Sequence, residues 1–188
     1  MNAPVLLLLN GAPGSGKSTL AALLAARRPL ALALDVDQLK HSLGGWEEDL
    51  HRSGLQARRL ALALAGRHLA DGHDVLIGQY LARPAFLDQL AQLAADNGAR
   101  VVEAALVADE ATLAARLASR RTAPDRPEQA ANDRHVGPGD AAAHLAALDA
   151  LLEGRPHVHR LDARLPREEL ADALGRILDA PASKEHRP

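Results

Sequence analysis

Short apolar runs alternate with longer amphipathic stretches along most of this chain. Runs that are apolar at nearly every position are typical of strands buried on both faces of a sheet. They predict five strands, at residues 5–10, 30–34, 73–79, 100–107 and 157–161. The stretches between them predict helices at 17–28, from about 38, and at 54–70, 84–96, 109–121, 141–152 and 167–178. This alternation predicts an α/β fold, a five-stranded parallel sheet with helices on both faces.

One segment breaks the pattern. Residues 122–140 contain three prolines, two glycines and many charges, which is typical of a surface excursion. We expect a small lid at about 121–140 within a single domain over 1–180, followed by a disordered tail at 181–188.

Composition narrows the class of protein. With 188 residues the chain is long enough for one buried core, and its net charge of −2 does not favour a nucleic-acid partner. The absence of cysteine excludes disulfides and thiol chemistry. No apolar stretch has the length of a signal peptide or a membrane span, so we expect a cytoplasmic protein without a membrane partner, as monomer or dimer.

A glycine-rich motif follows the first predicted strand. Residues 11–18 match G-x-x-x-x-G-K-[ST] in full, between an apolar strand and a helix, as a phosphate-binding loop (P-loop) requires. Its backbone N–H groups would surround the phosphates, Lys17 would reach the β- and γ-phosphates, and Ser18 would bind Mg²⁺. The alternative, a simple glycine turn between two elements, is disfavoured by this strand-to-helix context. The predicted ATP-binding residues here are Gly11, Ala12, Pro13, Gly14, Ser15, Gly16, Lys17, Ser18 and Thr19.

Other parts of the sequence help to distinguish three classes of P-loop protein: GTPase switches, motor-type ATPases and kinases. The N-K-x-D base reader of GTPase switches is absent. The stretch "ALVADE" at 105–110 looks like the strand of a motor ATPase that ends in Asp-Glu. Asp109 and Glu110, however, stand where a helix is predicted to begin, and capping explains them better.

A kinase needs an acidic group that accepts the proton of the acceptor hydroxyl. Asp35 and Asp37 follow the second predicted strand directly, so they should open onto the same edge of the sheet as the P-loop. Their alternate positions predict that one of them points at the phosphates. The alternative is that both only cap the short helix that follows.

The P-loop, the apolar strand and "LDVDQLK" at 34–40 together resemble small kinases of adenylate-kinase-like architecture, such as gluconate kinases, chloramphenicol phosphotransferase and polynucleotide 5′-hydroxyl kinases. The resemblance covers about residues 4–178 and implies a three-layer P-loop NTPase fold. It implies that Asp37 is the general base and that Lys40 contacts the acceptor. Asp35 would support Mg²⁺ indirectly or have a structural role.

The same resemblance extends to two later segments. Arg116 and Arg120 share a face of one predicted helix, and Arg121 follows at the start of the lid. Similar kinases place one such arginine beside the adenine or its phosphates and another on the transferred group, which makes Arg120 catalytic together with Lys17 and Asp37. The segment "DARLPREE" at 162–169 resembles the loop that borders the adenine and adds Ala163 to the ATP site. Alternatively, these are solvated arginines and an ordinary turn.

The sequence departs from these kinases after the third strand. Many relatives carry an Asp there, whereas this chain has Gly78, Gln79 and Tyr80. We expect Gln79 and Tyr80 to hydrogen-bond the acceptor, with Arg83 behind them and Trp46 on a Gly-Gly loop able to close over the substrate.

These features predict an ATP- and Mg²⁺-dependent phosphotransferase that acts on a hydroxyl of a small molecule: an antibiotic, a sugar or a nucleoside. A polynucleotide 5′-hydroxyl kinase is the first alternative. The second, from another class, is a nucleotide-binding regulator with slow ATP hydrolysis.

Overall fold

The structure, a computed structural model, describes residues 3–122 and 136–181. Residues 123–135 of the expected lid and 182–188 of the expected tail lie outside them. The strands are β1 Val5–Gly11, β2 Leu32–Leu34, β3 Val75–Gly78, β4 Arg100–Val107 and β5 His159–Asp162. The helices are α1 Lys17–Ala26, α2 Val36–His41, α3 Leu50–Ala70, α4 Pro84–Asp96, α5 Glu110–Thr122, α6 Ala141–Glu153 and α7 Arg167–Asp179, with a 3₁₀ turn at Pro138–Asp140.

The five strands form one sheet in the order β2-β3-β1-β4-β5, and all neighbours are parallel. In β1, Leu7 and Leu9 pack with α1 and α7, whereas Leu6 and Leu8 pack on the opposite face with α3 and α4. Burial on both faces explains why this strand is apolar at successive positions. The α/β prediction is therefore confirmed, with helices on both sides of a five-stranded parallel sheet.

Two helices begin earlier than the pattern predicts. The α2 helix begins at Val36 because Asp35 caps it, and α3 begins at Leu50 rather than at residue 54. The Asp49 side chain accepts a hydrogen bond from the backbone N–H of Arg52 and so starts α3 before Gly54. Among all the helices described, none has the length and apolar character needed to cross a bilayer.

In this strand order β1 is central, and the loop after it lies between those that follow β3 and β4. Because all strands are parallel, their carboxyl ends meet at one edge of the sheet, where open α/β sheets bind ligands. The strand order thus places residues from both halves of the sheet around the glycine-rich loop.

Candidate active site

The loop between β1 and α1 has the backbone that its glycines permit. Gly14 and Gly16 have φ angles of +86° and +93°, in the left-handed region that side chains disfavour. Gly16 is the N-cap residue of α1, so the loop runs directly into the first turn of that helix. The first N–H groups of a helix have no partner within it and carry partial positive charge. This end of α1 is therefore suited to hold a phosphate.

Burial and neighbouring charges have opposing effects on the pKa of Lys17, whose side chain lines the cleft next to this loop. Burial lowers its pKa from 10.5 to about 8, although the nearby carboxylates of Asp37 and Asp35 raise it. Arg120 lowers the pKa further by charge repulsion. Asp37 is thus close enough to Lys17 to be the largest opposing influence on its charge.

Asp35 and Asp37 have different environments. The Asp35 carboxylate accepts hydrogen bonds from the backbone N–H groups of Asp37 (2.9 Å) and Gln38 (3.4 Å), so it caps α2. Asp37 is in the first turn of that helix, and its carboxylate lies 3.8 Å from the Nζ atom of Lys40. The cap thereby orients the turn that carries Asp37.

Gly78 allows α1 to approach the end of β3. A Cβ atom at this position would lie 2.8 Å from the backbone oxygen of Lys17, which is closer than real Cβ atoms come. Ser18 Oγ also donates a hydrogen bond to the Gly78 carbonyl (3.2 Å). The strand therefore ends in glycine rather than in Asp partly for a steric reason, because α1 packs too closely on β3 to leave room for a side chain at Gly78.

A buried asparagine connects the P-loop to the segment after β3. Asn10 Nδ2 donates to the Leu81 carbonyl (2.8 Å), and its Oδ1 accepts from the N–H groups of Leu81 (3.0 Å) and Gly11 (2.8 Å). The two bonds to Leu81 hold the segment that carries Gln79 and Tyr80 beside the loop, and the bond from Gly11 fixes the asparagine side chain at the start of the loop. The sequence analysis missed Asn10, although one polar residue within an apolar run was a signal.

The ring of Tyr80 packs edge-to-face on His144 of α6, with centroids 4.9 Å apart, and its hydroxyl donates to the His144 carbonyl (3.3 Å). Burial raises the pKa of Tyr80. Burial also lowers the pKa of His144; Asp140 opposes this shift and Lys17 adds to it. His144 lines the cleft, and no spacing in the sequence indicated it.

The other side of the cleft is built by α5 and the segment after β5. Arg116 donates to the Ala163 carbonyl (2.8 Å), which connects these two elements. Hydrogen bonds from Arg164 lower the pKa of the neighbouring Asp162 to about 2. Asp109 accepts from the backbone N–H of Thr112 (2.8 Å), so the capping interpretation of "ALVADE" is confirmed.

All these elements enclose a cleft of about 620 Å³. It brings together most of the predicted site residues: Pro13, Gly14, Ser15, Gly16, Lys17, Ser18, Thr19, Asp35, Asp37, Lys40, Gln79, Tyr80, Arg116, Arg120 and Ala163. Leu50, Val136, His144 and Arg167 also line it and were not predicted.

Five predicted residues do not line the cleft. Gly11 and Ala12 are buried at the start of the P-loop. The Trp46 ring lies against His41, with centroids 4.2 Å apart and planes tilted by 45°, and its centre is 5.3 Å from the Nζ atom of Lys40, which does line the cleft. Arg83 is exposed at the start of α4, and Arg121 is exposed beside Gly137.

The cleft contains oxygen-bearing side chains that could hold a divalent ion beside a nucleotide. Within 3–122 and 136–181, no three His, Asp or Glu side chains are grouped as metal ligands. Mg²⁺ in nucleotide sites commonly uses few protein ligands, and substrate phosphates and water complete its shell. The Ser18 hydroxyl at the start of α1, with the carboxylate of Asp35 in the same cleft, fits such an ion.

Known structures share this fold at low sequence identity. The tunicamycin resistance protein of Deinococcus radiodurans is 17% identical with a TM-score of 0.63, covering 96% of this chain and 98% of that one. The APS kinase of Mycobacterium tuberculosis, in complex with AMPPNP and APS, is 16% identical with a TM-score of 0.62 (96% and 100%). A gluconokinase of Sinorhizobium meliloti is 19% identical with a TM-score of 0.54 (94% and 94%).

The sequence itself also matches a family. No curated protein sequence matches the chain significantly. A family model described as an AAA domain matches residues 6–136, which include the P-loop, both aspartates of α2 and the arginines of α5. The chain therefore belongs to this AAA domain family, and its architecture is the one shared by P-loop kinases.

Proposed function

We propose that this protein is an ATP-dependent phosphotransferase that moves the γ-phosphoryl group to a hydroxyl of a small molecule. The observation that carries the proposal is the position of Asp37. This carboxylate lines the same cleft as the P-loop and is near enough to Lys17 to oppose the effect of burial on its pKa. An acid across from a phosphate-binding loop is what a kinase requires and a simple nucleotide-binding module does not.

In the proposed reaction Asp37 is the general base. The acceptor oxygen forms a bond to the γ-phosphorus while the bond from that phosphorus to the β–γ bridging oxygen breaks. The hydroxyl proton passes to the Asp37 carboxylate, and ADP leaves with the electron pair of the broken bond. Positioning and charge stabilisation supply most of the rate acceleration in such transfers.

Cationic groups around the loop stabilise the charge on the transferred group. Burial is the main cause of the lowered pKa of Lys17, and repulsion by the nearby Arg120 lowers it further. The charges of both side chains would therefore be stabilised when the phosphates of a nucleotide bind between them. Arg116 is held by the Ala163 carbonyl and so forms the wall beside the nucleotide. We assign it a positioning role and assign Arg120 to the γ-phosphoryl group.

Ser18 would hold Mg²⁺ together with the phosphates of the nucleotide. When bound, this ion would neutralise part of the negative charge on the β- and γ-phosphates. Asp35 orients α2 through its cap and keeps Asp37 facing the loop.

A screen of acceptors tests the proposal. ADP release is measured with ATP and Mg²⁺ alone and then with neutral sugars, amino sugars, sugar acids, nucleosides and a 5′-hydroxyl oligonucleotide. We expect at least one small hydroxyl compound to stimulate release, and Lys17→Ala to abolish the stimulation. Slow release that no acceptor stimulates would contradict the proposal and favour the regulator; stimulation by the oligonucleotide alone would favour a polynucleotide kinase.

A further inference from the structure

One face of α6 packs against the P-loop and the sheet. Ala141 and Leu145 share an apolar cluster with Ala12 of the P-loop, and Leu148 shares another with β4. Helix positions three, four and seven residues apart lie on one face, which accounts for this packing. His144 lies on the same face, three residues after Ala141 and four before Leu148. A polar residue among these apolar ones is typical of a functional position.

Tyr80 fixes the position of His144. The two rings pack edge to face with centroids 4.9 Å apart, and the Tyr80 hydroxyl donates to the His144 carbonyl (3.3 Å). The His144 side chain is partly buried and lines the cleft. Within 3–122 and 136–181, no residue forms a hydrogen bond with its ring nitrogens. The ring is thus held in place while its polar atoms can bind a ligand in the cleft.

The neighbourhood of Lys17 indicates which ligand group His144 would meet. Burial lowers the pKa of His144 most, Asp140 raises it, and the positive charge of Lys17 lowers it further. The effect of Lys17 requires the two side chains to lie near each other, and both line the cleft. A P-loop lysine reaches the β- and γ-phosphates of a bound nucleotide. His144 therefore lies on the γ-phosphate side of the cleft, opposite no adenine-binding element.

A neutral imidazole suits this position. Because the pKa of His144 lies below 6.5, the ring is mostly uncharged at pH 7. One nitrogen of a neutral imidazole carries a hydrogen and donates, and the other accepts. The donor can bind a phosphate oxygen without adding a second positive charge beside Lys17.

We infer, on the basis of the proposed function, that His144 is a further residue of the phosphoryl-transfer site and that one of its ring nitrogens donates a hydrogen bond to an oxygen of the γ-phosphoryl group. Tyr80 holds the ring in the position for this contact. The γ-phosphoryl group is then bound from two elements, by Lys17 of α1 and by His144 of α6. ADP lacks this group, so it does not form the contact.

Nucleotide binding tests the inference without any acceptor. His144→Phe keeps an aromatic ring beside Tyr80 and removes both ring nitrogens. Calorimetry with Mg²⁺ compares AMPPNP, which carries a γ-phosphoryl group, with ADP. We expect the Kd of AMPPNP to rise about tenfold in the variant and the Kd of ADP to stay within about twofold. Unchanged binding of ADP also shows that the variant is folded.

The matched control is His159→Phe, the same change at the exposed first residue of β5, at the amino end of the strand. It should alter neither Kd. A second pair of variants keeps the side-chain length similar: His144→Gln retains an N–H donor and His144→Leu does not. His144→Gln should bind AMPPNP severalfold more tightly than His144→Leu, with equal affinity for ADP.

Three results would count against this assignment. Equal weakening of ADP and AMPPNP in His144→Phe would show that the residue only shapes the cleft and would overturn the inference. An unchanged Kd of AMPPNP, or equal affinities in His144→Gln and His144→Leu, would overturn it too, and the proposed kinase would stand. Failure of the wild-type protein to bind either nucleotide would contradict the proposed function itself, and the inference with it.

Discussion

Lys17 shows how burial and charge compete at a single residue. Burial favours the neutral amine, whereas Asp37 and Asp35 favour the ammonium, and the resulting pKa is about 8. The positive charge of the Lys17 ammonium is therefore only partly stabilised by its surroundings before the nucleotide binds. Triphosphate oxygens would supply the missing negative charge and raise this pKa on binding.

This difference predicts a pH dependence of nucleotide binding. Between the free pKa of about 8 and the higher bound value, binding must take up a proton, so affinity should fall as pH rises above 8. Calorimetry of ATP binding in buffers of different ionisation enthalpy would measure this uptake. In Lys17→Arg the charge persists at all these pH values, and the uptake should vanish. An affinity of the wild-type protein that is constant from pH 7 to 9.5 would refute the assignment.

Asn10 is the second residue on which the site depends. Asn10→Ala removes three hydrogen bonds from a buried position, so the free energy of unfolding should fall by about 3 kcal/mol. Because Gln79 and Tyr80 lose their anchor, the KM of the acceptor should also rise. Chemical denaturation and steady-state kinetics measure the two effects.

The control for this change is Asn97→Ala, which removes one bond to the Leu93 carbonyl at the end of α4. It should lower the free energy of unfolding by about 1 kcal/mol without affecting the acceptor. If both variants changed the acceptor KM equally, Asn10 would act only through general stability.

At the scale of elements, the contact between α1 and β3 determines how close the P-loop lies to the acceptor segment. Gly78→Ala would place a methyl group 2.8 Å from the Lys17 carbonyl, and the backbone there cannot yield easily. We expect α1 to shift, with a loss of about 2 kcal/mol in stability and weaker ATP binding. Thermal denaturation with and without ATP measures both.

Gly175→Ala is the matched control, because a Cβ atom there meets nothing within 4 Å. In the interior of α7 the change should raise stability by about 0.5–1 kcal/mol and leave ATP binding unaffected. Equal ATP affinity in Gly78→Ala and the wild-type protein would show that the close approach is not needed for the site.

Across the whole molecule, the sequence predicts the fold well because the apolar runs are short and clearly bounded. The fourth strand was predicted at 100–107 and is found as Arg100–Val107, and the α4 helix matches 84–96. The helix before β3 was predicted too short, because Gly54 resembles a boundary although Asp49 provides the actual cap. Side-chain caps depend on local geometry that hydrophobic periodicity does not contain.

The site was predictable only where it is local in sequence. The P-loop is one contiguous motif, and Asp35 and Asp37 adjoin a predicted strand. His144 belongs to the site because α6 packs beside Tyr80, a residue 64 positions away. The grouping of α5 residues with the segments after β2 and β3 around one cleft likewise follows from the strand order β2-β3-β1-β4-β5, which the pattern of apolar residues does not specify.

The central claim is that Asp37 accepts the proton of the acceptor. Its most direct test is the transfer of labelled γ-phosphoryl from ATP to the best acceptor by Asp37→Asn, with ATP affinity measured in parallel. Asp71→Asn, an exposed position at the end of α3, is the control. We predict that Asp37→Asn lowers the transfer rate by about 10²-fold or more while ATP affinity stays within a few-fold. A transfer rate comparable to that of the wild-type protein would contradict the account.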